Sequence, residues 1–371
     1  MPGWGVPGWG VPGVPGRGGD RLSAVSAFRV DLRSDTVSSP SPAMRRAMAS
    51  AEVGDAWYGD DPSVNELQDL AAEITHKESA LYVVTGTMAN QIGLASHFGG
   101  KGHLVGCLAH AHVATTEVAT SAALSGISYR TAPGHERGWM TALDARALVE
   151  PDSFYDVEVV DLLAVENTVG SAQGSVMPVE ELRQIRKVAE QAGLPIHMDG
   201  ARIFNAAAAA GVPATDWTTE VDTMMFCLSK GLGAPVGSVF CGPTELIREA
   251  RRLWILFGGA WRQAGIMAAA GLIALREGPG RLHEDHARAR RIADAIAEVI
   301  PGSIDPRSVE TNMVFVDTEV SGLAAIDAIE RLQALGVGAT LIGKQVRMVT
   351  HVDIDDDAVG VTLDAWASIL G

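Results

Sequence analysis

From Phe28 onward, short apolar runs alternate with stretches whose apolar residues recur every three or four positions. Residues 81–84, 159–165, 195–198, 223–228 and 237–241 read as buried strands. Between the runs, Leu67, Leu70, Ala71 and Ile74 fall on one helical face, behind a capping box formed by Ser63 and Glu66. Pro178 opens a second amphipathic helix, with Leu182, Ile185 and Ala189 turned inward. Near-continuous apolar strands separated by such helices predict an α/β fold with a mainly parallel central sheet, covered on both faces. A long charged helix over 281–299 then leads to a smaller α+β set: a strand at 313–316, a helix over 323–335 ended by Gly336, and a strand at 345–350. The expected division is a large domain over 29–280 and a small C-terminal domain over 281–371.

Residues 1–19 break this pattern. Twelve of them are Gly or Pro, and a Val-Pro-Gly-Trp-Gly pentad stands at Val6–Gly10. Proline removes backbone donors and glycine raises the entropy lost on ordering, so residues 1–28 are expected to be a flexible tail without a packed element. The segment resembles an elastin-type repeat, fits an engineered tag or a natural arm, and is set aside from function.

Composition narrows the possibilities. With 47 % hydrophobic and 20 % charged residues the chain can build a large core. Its 29 basic against 45 acidic residues give a formal charge of −16. Such a surface repels phosphate backbones, so neither a nucleic acid nor an anionic membrane is the expected partner. The longest wholly apolar run, 264–275, suits a buried helix and is too short to cross a bilayer. The N-terminus shows no basic region followed by an apolar one. Cys107, Cys227 and Cys241 are widely spaced, lack metal-ligand spacing, and read as reduced core residues. A cytoplasmic location is expected, and no metal site.

Open α/β sheets place ligands at the carboxyl ends of their strands. Several polar residues stand where an apolar run has just ended: Glu166 and Asn167, Asp199 with Arg202 three residues on, and Lys230 between Ser229 and Gly231. Thr85-Gly86-Thr87 follows another run and opens a helical pattern, where backbone N–H groups and a hydroxyl suit a phosphate. Taken singly, each has a plainer reading: Asp199 equally fits a helix cap, and a lysine in a glycine-rich turn is usually solvated. Together they put a lone acid, a lone lysine and a phosphate-type turn at one sheet edge. Neither GxxxxGK[ST] nor GxGxxG occurs, which disfavours nucleoside triphosphates and dinucleotides.

Six segments in order carry a resemblance from about Arg29 to the C-terminus: Asp31-Leu32-Arg33-Ser34-Asp35-Thr36-Val37, Tyr58-Gly59-Asp60-Asp61-Pro62, Thr85-Gly86-Thr87-Met88-Ala89-Asn90-Gln91, His197-Met198-Asp199-Gly200-Ala201-Arg202, Cys227-Leu228-Ser229-Lys230-Gly231-Leu232-Gly233 and Arg262-Gln263-Ala264-Gly265. The series resembles that of the threonine aldolases, pyridoxal 5'-phosphate enzymes of the aspartate-aminotransferase-like fold (fold type I) in the β-eliminating lyase superfamily. The resemblance implies that Lys230 forms the Schiff base with the cofactor, and that Asp199 pairs with the protonated pyridine nitrogen, keeping the ring an electron sink. It implies that Gly86 and Thr87 hold the phosphate with Ser229 beside them, and that His112 stacks on the ring. Ser34, Arg202, Arg347, Tyr58 and Val169 fall on the substrate side, Arg202 near the cofactor as well and Arg347 as the carboxylate ligand, where a guanidinium fork matches both oxygens.

The implied activity is cleavage of the Cα–Cβ bond of a β-hydroxy-α-amino acid to glycine and an aldehyde. The alternatives are β-elimination, racemisation or aldehyde transfer with the same cofactor. A homodimer or homotetramer with sites at the subunit interface is implied as well. Two departures stand out. Where many members continue Glu-Asn-Thr with a histidine near the β-hydroxyl, this chain has Val169. Water or His112 would then take the proton, and an apolar Val169 would admit a bulkier substrate. Before the Arg262 motif, Trp254 and Ile255 replace basic residues and Ala260 a glycine, with Arg251 and Arg252 close enough in sequence to compensate.

Overall fold

The computed structural model describes residues 28–100, 102–150 and 159–370. The expected flexible tail, apart from Phe28, lies outside the described residues. Seven strands form the main sheet: β1 (Ser79–Val83), β2 (His103–Leu108), β3 (Ile127–Ala132), β4 (Leu162–Glu166), β5 (Ile196–Asp199), β6 (Thr223–Cys227) and β7 (Ser238–Gly242), in the spatial order β1-β7-β6-β5-β4-β2-β3. The run from β6 to β3 is parallel, while β7 is antiparallel to both its neighbours. The sheet is thus mainly parallel, as the sequence predicts. Strands β5, β6 and β7 are buried at every position, which is why they read as unbroken apolar runs.

The sequence pattern misses β2 and β3. β3 is the edge strand and carries Ser128, Arg130 and Thr131, so it lacks the apolar continuity of the centre. β2 contains Gly106, where a Cβ would stand 2.9 Å from Leu163. Close approach of β4 requires that glycine, and it breaks the strand signal.

The helix Pro62–Thr75 is capped differently from expectation. Its N-cap is Asp61, whose Oδ1 accepts the Val64 N–H at 3.1 Å, and Ser63 instead donates to the Glu52 carbonyl. Asp61 Oδ2 also accepts the Gly265 N–H at 2.9 Å, and a Cβ at Gly265 would sit 2.4 Å from that carboxylate. One buried acid therefore joins the starts of two helices. Pro178 is the cap of Val179–Ala192, and Leu182, Ile185 and Ala189 are fully buried there.

The charged helix expected from residue 281 begins earlier, at Gly265, and runs unbroken to Val299 through Pro279. Its first half packs Ala268, Ala270 and Leu272 into the main core, and its last turns pack Ala289, Ile292 and Ile296 into a second one. That second core lies against an antiparallel sheet of β8 (Met313–Val316), β9 (Thr340–Ile342) and β10 (Gln345–Val349), ordered β9-β10-β8. Val30 and Leu32 belong to it too, since Val30–Asp31 pairs with Val337–Gly338. The chain's first described segment therefore joins the C-terminal core, in a two-stranded sheet of its own, before entering the large one. Cys107, Cys227 and Cys241 are free and buried.

Candidate active site

Two adjoining cavities of about 320 and 340 Å³ lie where β4, β5 and β6 end, and Thr36, His112, Asp199, Ala201 and Lys230 line both. The parallel register sets Glu166 beside Asp199, so two carboxylates leave the sheet at one level. Lys230 follows β6 by three residues. Its amine makes no hydrogen bond among the described residues, although its charge helps hold Asp35 ionised.

Asp199 is buried. Its Oδ1 accepts the Ala201 N–H at 3.0 Å and its Oδ2 the Asn90 Nδ2–H at 2.8 Å. Gly86 and Thr87 line the second cavity with Ser229. They are the first residues of the helix Gly86–Ser96, whose cap Thr85 takes the Met88 N–H. The Gly86 and Thr87 N–H groups remain at the positive end of that helix. A Cβ at Gly86 would come within 2.9 Å of Cys227 Sγ, so the turn has no room for a side chain there.

Glu117, itself buried, clamps His112: the imidazole Nδ1 lies 2.9 Å from Glu117 Oε1. Gln91 and Asn90 also donate to Glu117. The hydrogen bond to Glu117 raises the His112 pKa against burial, with the Asp199 charge adding to it. Glu166 accepts the His112 and Gly170 N–H groups, and its carboxyl is pushed up by burial and by Asp199.

The first cavity carries the cations. Arg202 grips Asp35 through Nε and Nη2, each 2.7 Å from a carboxylate oxygen. Burial alone would raise the Asp35 carboxyl, but Arg202, Lys230 and the Asn312 amide hold it down at about 2. Arg347, on β10, donates from Nη2 to the Arg33 carbonyl, and burial beside Arg202 lowers its pKa. Ser34 completes this wall, with its Oγ accepting the Thr36 N–H. Arg347 Nε and Thr168 Oγ1 are buried without a hydrogen-bond partner, and both residues line this cavity.

Two expected site residues stand elsewhere. Tyr58 is 76 % exposed and lines neither cavity. Val169 is fully buried in the main core: the chain turns after β4 so that Thr168 and Gly170 line the cavity while Val169 faces away. An enlarged apolar pocket at Val169 is therefore not formed. Arg251 and Arg252 also line neither cavity. Arg251 holds the Ala56 and Trp57 carbonyls, and Arg252 pairs with Glu249. The sequence reading gave no role to Asp35, Asn90, Glu117 or Thr168, nor to His110, which lines the first cavity and bonds the Gly138 carbonyl.

A lone amine, a buried acid and a helix N-terminus at the ends of parallel strands fit an enzyme of the pyridoxal-phosphate-dependent, aspartate-aminotransferase-like fold, and the known proteins it resembles show that fold. The chain matches the beta-eliminating lyase family over residues 31–321. It is 38 % identical over 342 residues to the low specificity L-threonine aldolase of Escherichia coli, covering 92 % of this chain and 99 % of that one. It is 36 % identical over 343 residues to low-specificity L-threonine aldolase 1 of Arabidopsis thaliana, covering 91 % and 95 %. The solved structure of Leishmania major threonine aldolase superposes with a TM-score of 0.74 at 17 % identity, covering 92 % and 100 %. The chain belongs to the beta-eliminating lyase family, on its low-specificity L-threonine aldolase branch. Its cofactor is pyridoxal phosphate. The cavity suits that group and an amino acid: an amine without a hydrogen bond, a buried acid, and the unpartnered Thr168 Oγ1 and Arg347 Nε offer what an aldehyde, a pyridine nitrogen and a carboxylate would satisfy.

Proposed function

We propose that this chain is an aldolase that cleaves L-threonine, L-allo-threonine and related β-hydroxy-α-amino acids to glycine and an aldehyde. The observation carrying this is that Lys230 and Asp199 line both cavities while the arginines Arg202 and Arg347 line only the first. A cofactor and an amino-acid carboxylate thus have separate, adjoining sites.

When bound, pyridoxal phosphate supplies an electron sink for the pair left on Cα as the Cα–Cβ bond breaks. Lys230 is the amine that would hold its aldehyde carbon. Asp199 keeps a proton on the ring nitrogen, and its own orientation is fixed by Ala201 and Asn90. The Gly86 and Thr87 N–H groups, with Ser229 alongside, take the phosphate. His112, oriented by Glu117, would stack against the ring. Arg347 binds the substrate carboxylate with Ser34, and Arg202 adds Nη1, its other two nitrogens being committed to Asp35. The β-hydroxyl proton leaves to Nε2 of His112, the nitrogen Glu117 does not engage, or to water beside it.

The same reading assigns cofactor binding to residues 29–280 and the carboxylate arginine to 281–371; two separate hydrophobic cores support two units, with Val30 and Leu32 packed in the second. It also makes the chain a cytoplasmic homodimer or homotetramer with Tyr58 completing a neighbour's site. Tyr58 and Trp57 are exposed on a loop pinned by Arg251, and Arg262 stacks on Trp57 at 4.8 Å. Among the described residues no helix is long and apolar enough to cross a membrane.

The test incubates the cofactor-loaded enzyme with L-threonine, L-allo-threonine, their D-forms and L-phenylserine, and measures glycine and aldehyde together. Equimolar glycine and acetaldehyde from an L-substrate is expected, with loss of the cofactor's visible absorbance in Lys230→Ala. No glycine from any substrate, with that absorbance intact, would sink the aldolase and leave β-elimination, racemisation or aldehyde transfer.

A further inference from the structure

Behind Asn90, which already holds Asp199, lies a row of buried polar groups (His197, Thr223 and His97) that none of the roles above uses. Asn90 Nδ2 donates to Asp199 Oδ2 at 2.8 Å and faces Glu117 Oε1 at 3.3 Å. Asn90 Oδ1 is 3.3 Å from His197 Nε2. His197 Nδ1 is 3.0 Å from Thr223 Oγ1, and that hydroxyl is 2.8 Å from His97 Nε2. Asn90, His197 and Thr223 are at most 2 % exposed.

The directions of these bonds follow from their ends. Carboxylates accept only, so the Asn90 amide must turn its NH₂ toward Asp199 and Glu117. Its oxygen then needs a donor, which puts the His197 proton on Nε2. Burial holds His197 down at about 3 and His97 at about 4, so both rings are neutral near pH 7 and His197 Nδ1 is a bare acceptor. Thr223 spends its one hydroxyl proton there and must accept from His97 Nε2–H. Every group in the row has one consistent role.

The backbone makes space for it. Gly93 stands one helical turn after Asn90, and a Cβ there would lie 2.5 Å from His197 Cε1. Strand pairing sets Thr223 opposite His197. His97, at the end of the helix that carries Asn90, lines a cavity of about 590 Å³ that shares no residue with the two around Lys230.

We propose that His97, Thr223, His197 and Asn90 form a one-directional hydrogen-bond relay that fixes the Asp199 carboxylate for the cofactor's ring nitrogen, making Thr223 and His97 positioning residues for a site they do not touch. This rests on the assignment of Asp199 to that nitrogen. Without the Thr223 hydroxyl, His197 is free to take its other tautomer. Two lone pairs then meet at Asn90 Oδ1, and the amide no longer has a reason to hold its NH₂ toward Asp199.

The test uses holoenzyme labelled with ¹⁵N at histidine, in which ring nitrogen shifts report the tautomer. His97 and His197 are expected neutral with the proton on Nε2, and a proton on Nδ1 of His197 overturns the relay. Thr223→Val keeps the shape and removes the hydroxyl. It should raise the cofactor dissociation constant about tenfold, as for one lost hydrogen bond aligned on a charge, and change the ratio of the cofactor's absorbance bands. Thr223→Ser should restore both. A valine variant with native affinity and bands, or a serine variant as defective as valine, overturns the proposal. Should the valine variant fail to fold, His97→Leu and His97→Gln repeat the comparison from the far end, because the glutamine amide nitrogen can replace Nε2 as donor. Asp199→Asn separates the two levels. If it leaves cofactor affinity and absorbance unchanged, the role of Asp199 fails even though the tautomers stand.

Discussion

Arg202 and Asp35 meet in two bonds of 2.7 Å, and Asp35 has no exposed surface. They are 167 positions apart in sequence, one in the N-terminal segment and the other three residues past β5. The pair therefore fastens the N-terminal strap to the end of the main sheet, and its geometry leaves only Nη1 of Arg202 for a ligand. Asn312, just before β8, adds a third bond to Asp35 and brings the small sheet into the same contact.

Removing one partner strands a buried charge. Asp35→Asn should cost about 3–5 kcal/mol of stability near neutral pH, read from urea unfolding. The sign with pH follows from the depressed carboxyl, about 2 in the folded chain against an ordinary 3.8. The contribution is present above roughly pH 4 and is lost as pH falls toward 2. The stability gap between wild type and variant should narrow over that window, and a gap constant from pH 5 to 2 would refute the pair's contribution.

His112 titrates in the opposite sense. Its hydrogen bond to Glu117 raises it above the ordinary 6.5, so that bond stabilises the fold fully below 6.5 and less as pH rises through the folded value. In Glu117→Gln the main raising influence is gone while burial remains. The His112 imidazole should then titrate at lower pH, followed by its ring-proton resonances. An unmoved titration would mean that Asp199 and Glu166, rather than Glu117, govern the ring.

Arg347 tests the carboxylate site. Its Nη2 already serves the Arg33 carbonyl, and its buried Nε has no partner. Lysine cannot present two coplanar donors, so Arg347→Lys should raise KM for L-threonine about tenfold or more with a smaller change in kcat. A KM within twofold of wild type would move the carboxylate to Arg202 alone.

What the sequence made legible follows from where each group sits. Lys230, Asp199 and Glu166 close or follow strands buried on both faces, so an apolar run stops at a charge and the change is visible locally. Asp35 carries no such mark: its partner is remote, and only the folded chain joins them. The Asn90–His197 contact is hidden likewise, because it depends on Gly93 admitting a ring from the neighbouring strand. The expected helix over 281–299 begins instead at Gly265 and passes through Pro279, since packing on both cores outweighs one lost backbone bond. Ser63 and Glu66 fitted a capping box, but Asp61 with Pro62 at the first helical position is the cap, and it also serves Gly265.

Val169 shows how a motif position can mislead about the direction of a side chain. In the sequence it occupies the place of a proton-handling histidine. In the structure its side chain is fully buried in the core, and its backbone N–H donates to the Ser175 carbonyl at 3.0 Å. Thr168, one residue earlier, lines the cavity with a buried hydroxyl that has no partner. Truncating Val169 should therefore act on stability, while changing Thr168 should act on substrate binding. Val169→Ala is expected to cost roughly 1–3 kcal/mol through the lost apolar contacts and the cavity left behind, and to leave the kcat/KM ratio between L-threonine and L-phenylserine within twofold. Thr168→Val removes a hydroxyl at constant shape, and should raise KM for both substrates by about tenfold, because both carry the carboxylate that the unpartnered hydroxyl would meet. Steady-state kinetics on both substrates, with urea unfolding of both variants, decides the matter. A changed ratio in Val169→Ala with native KM values in Thr168→Val would put Val169, not Thr168, against the substrate.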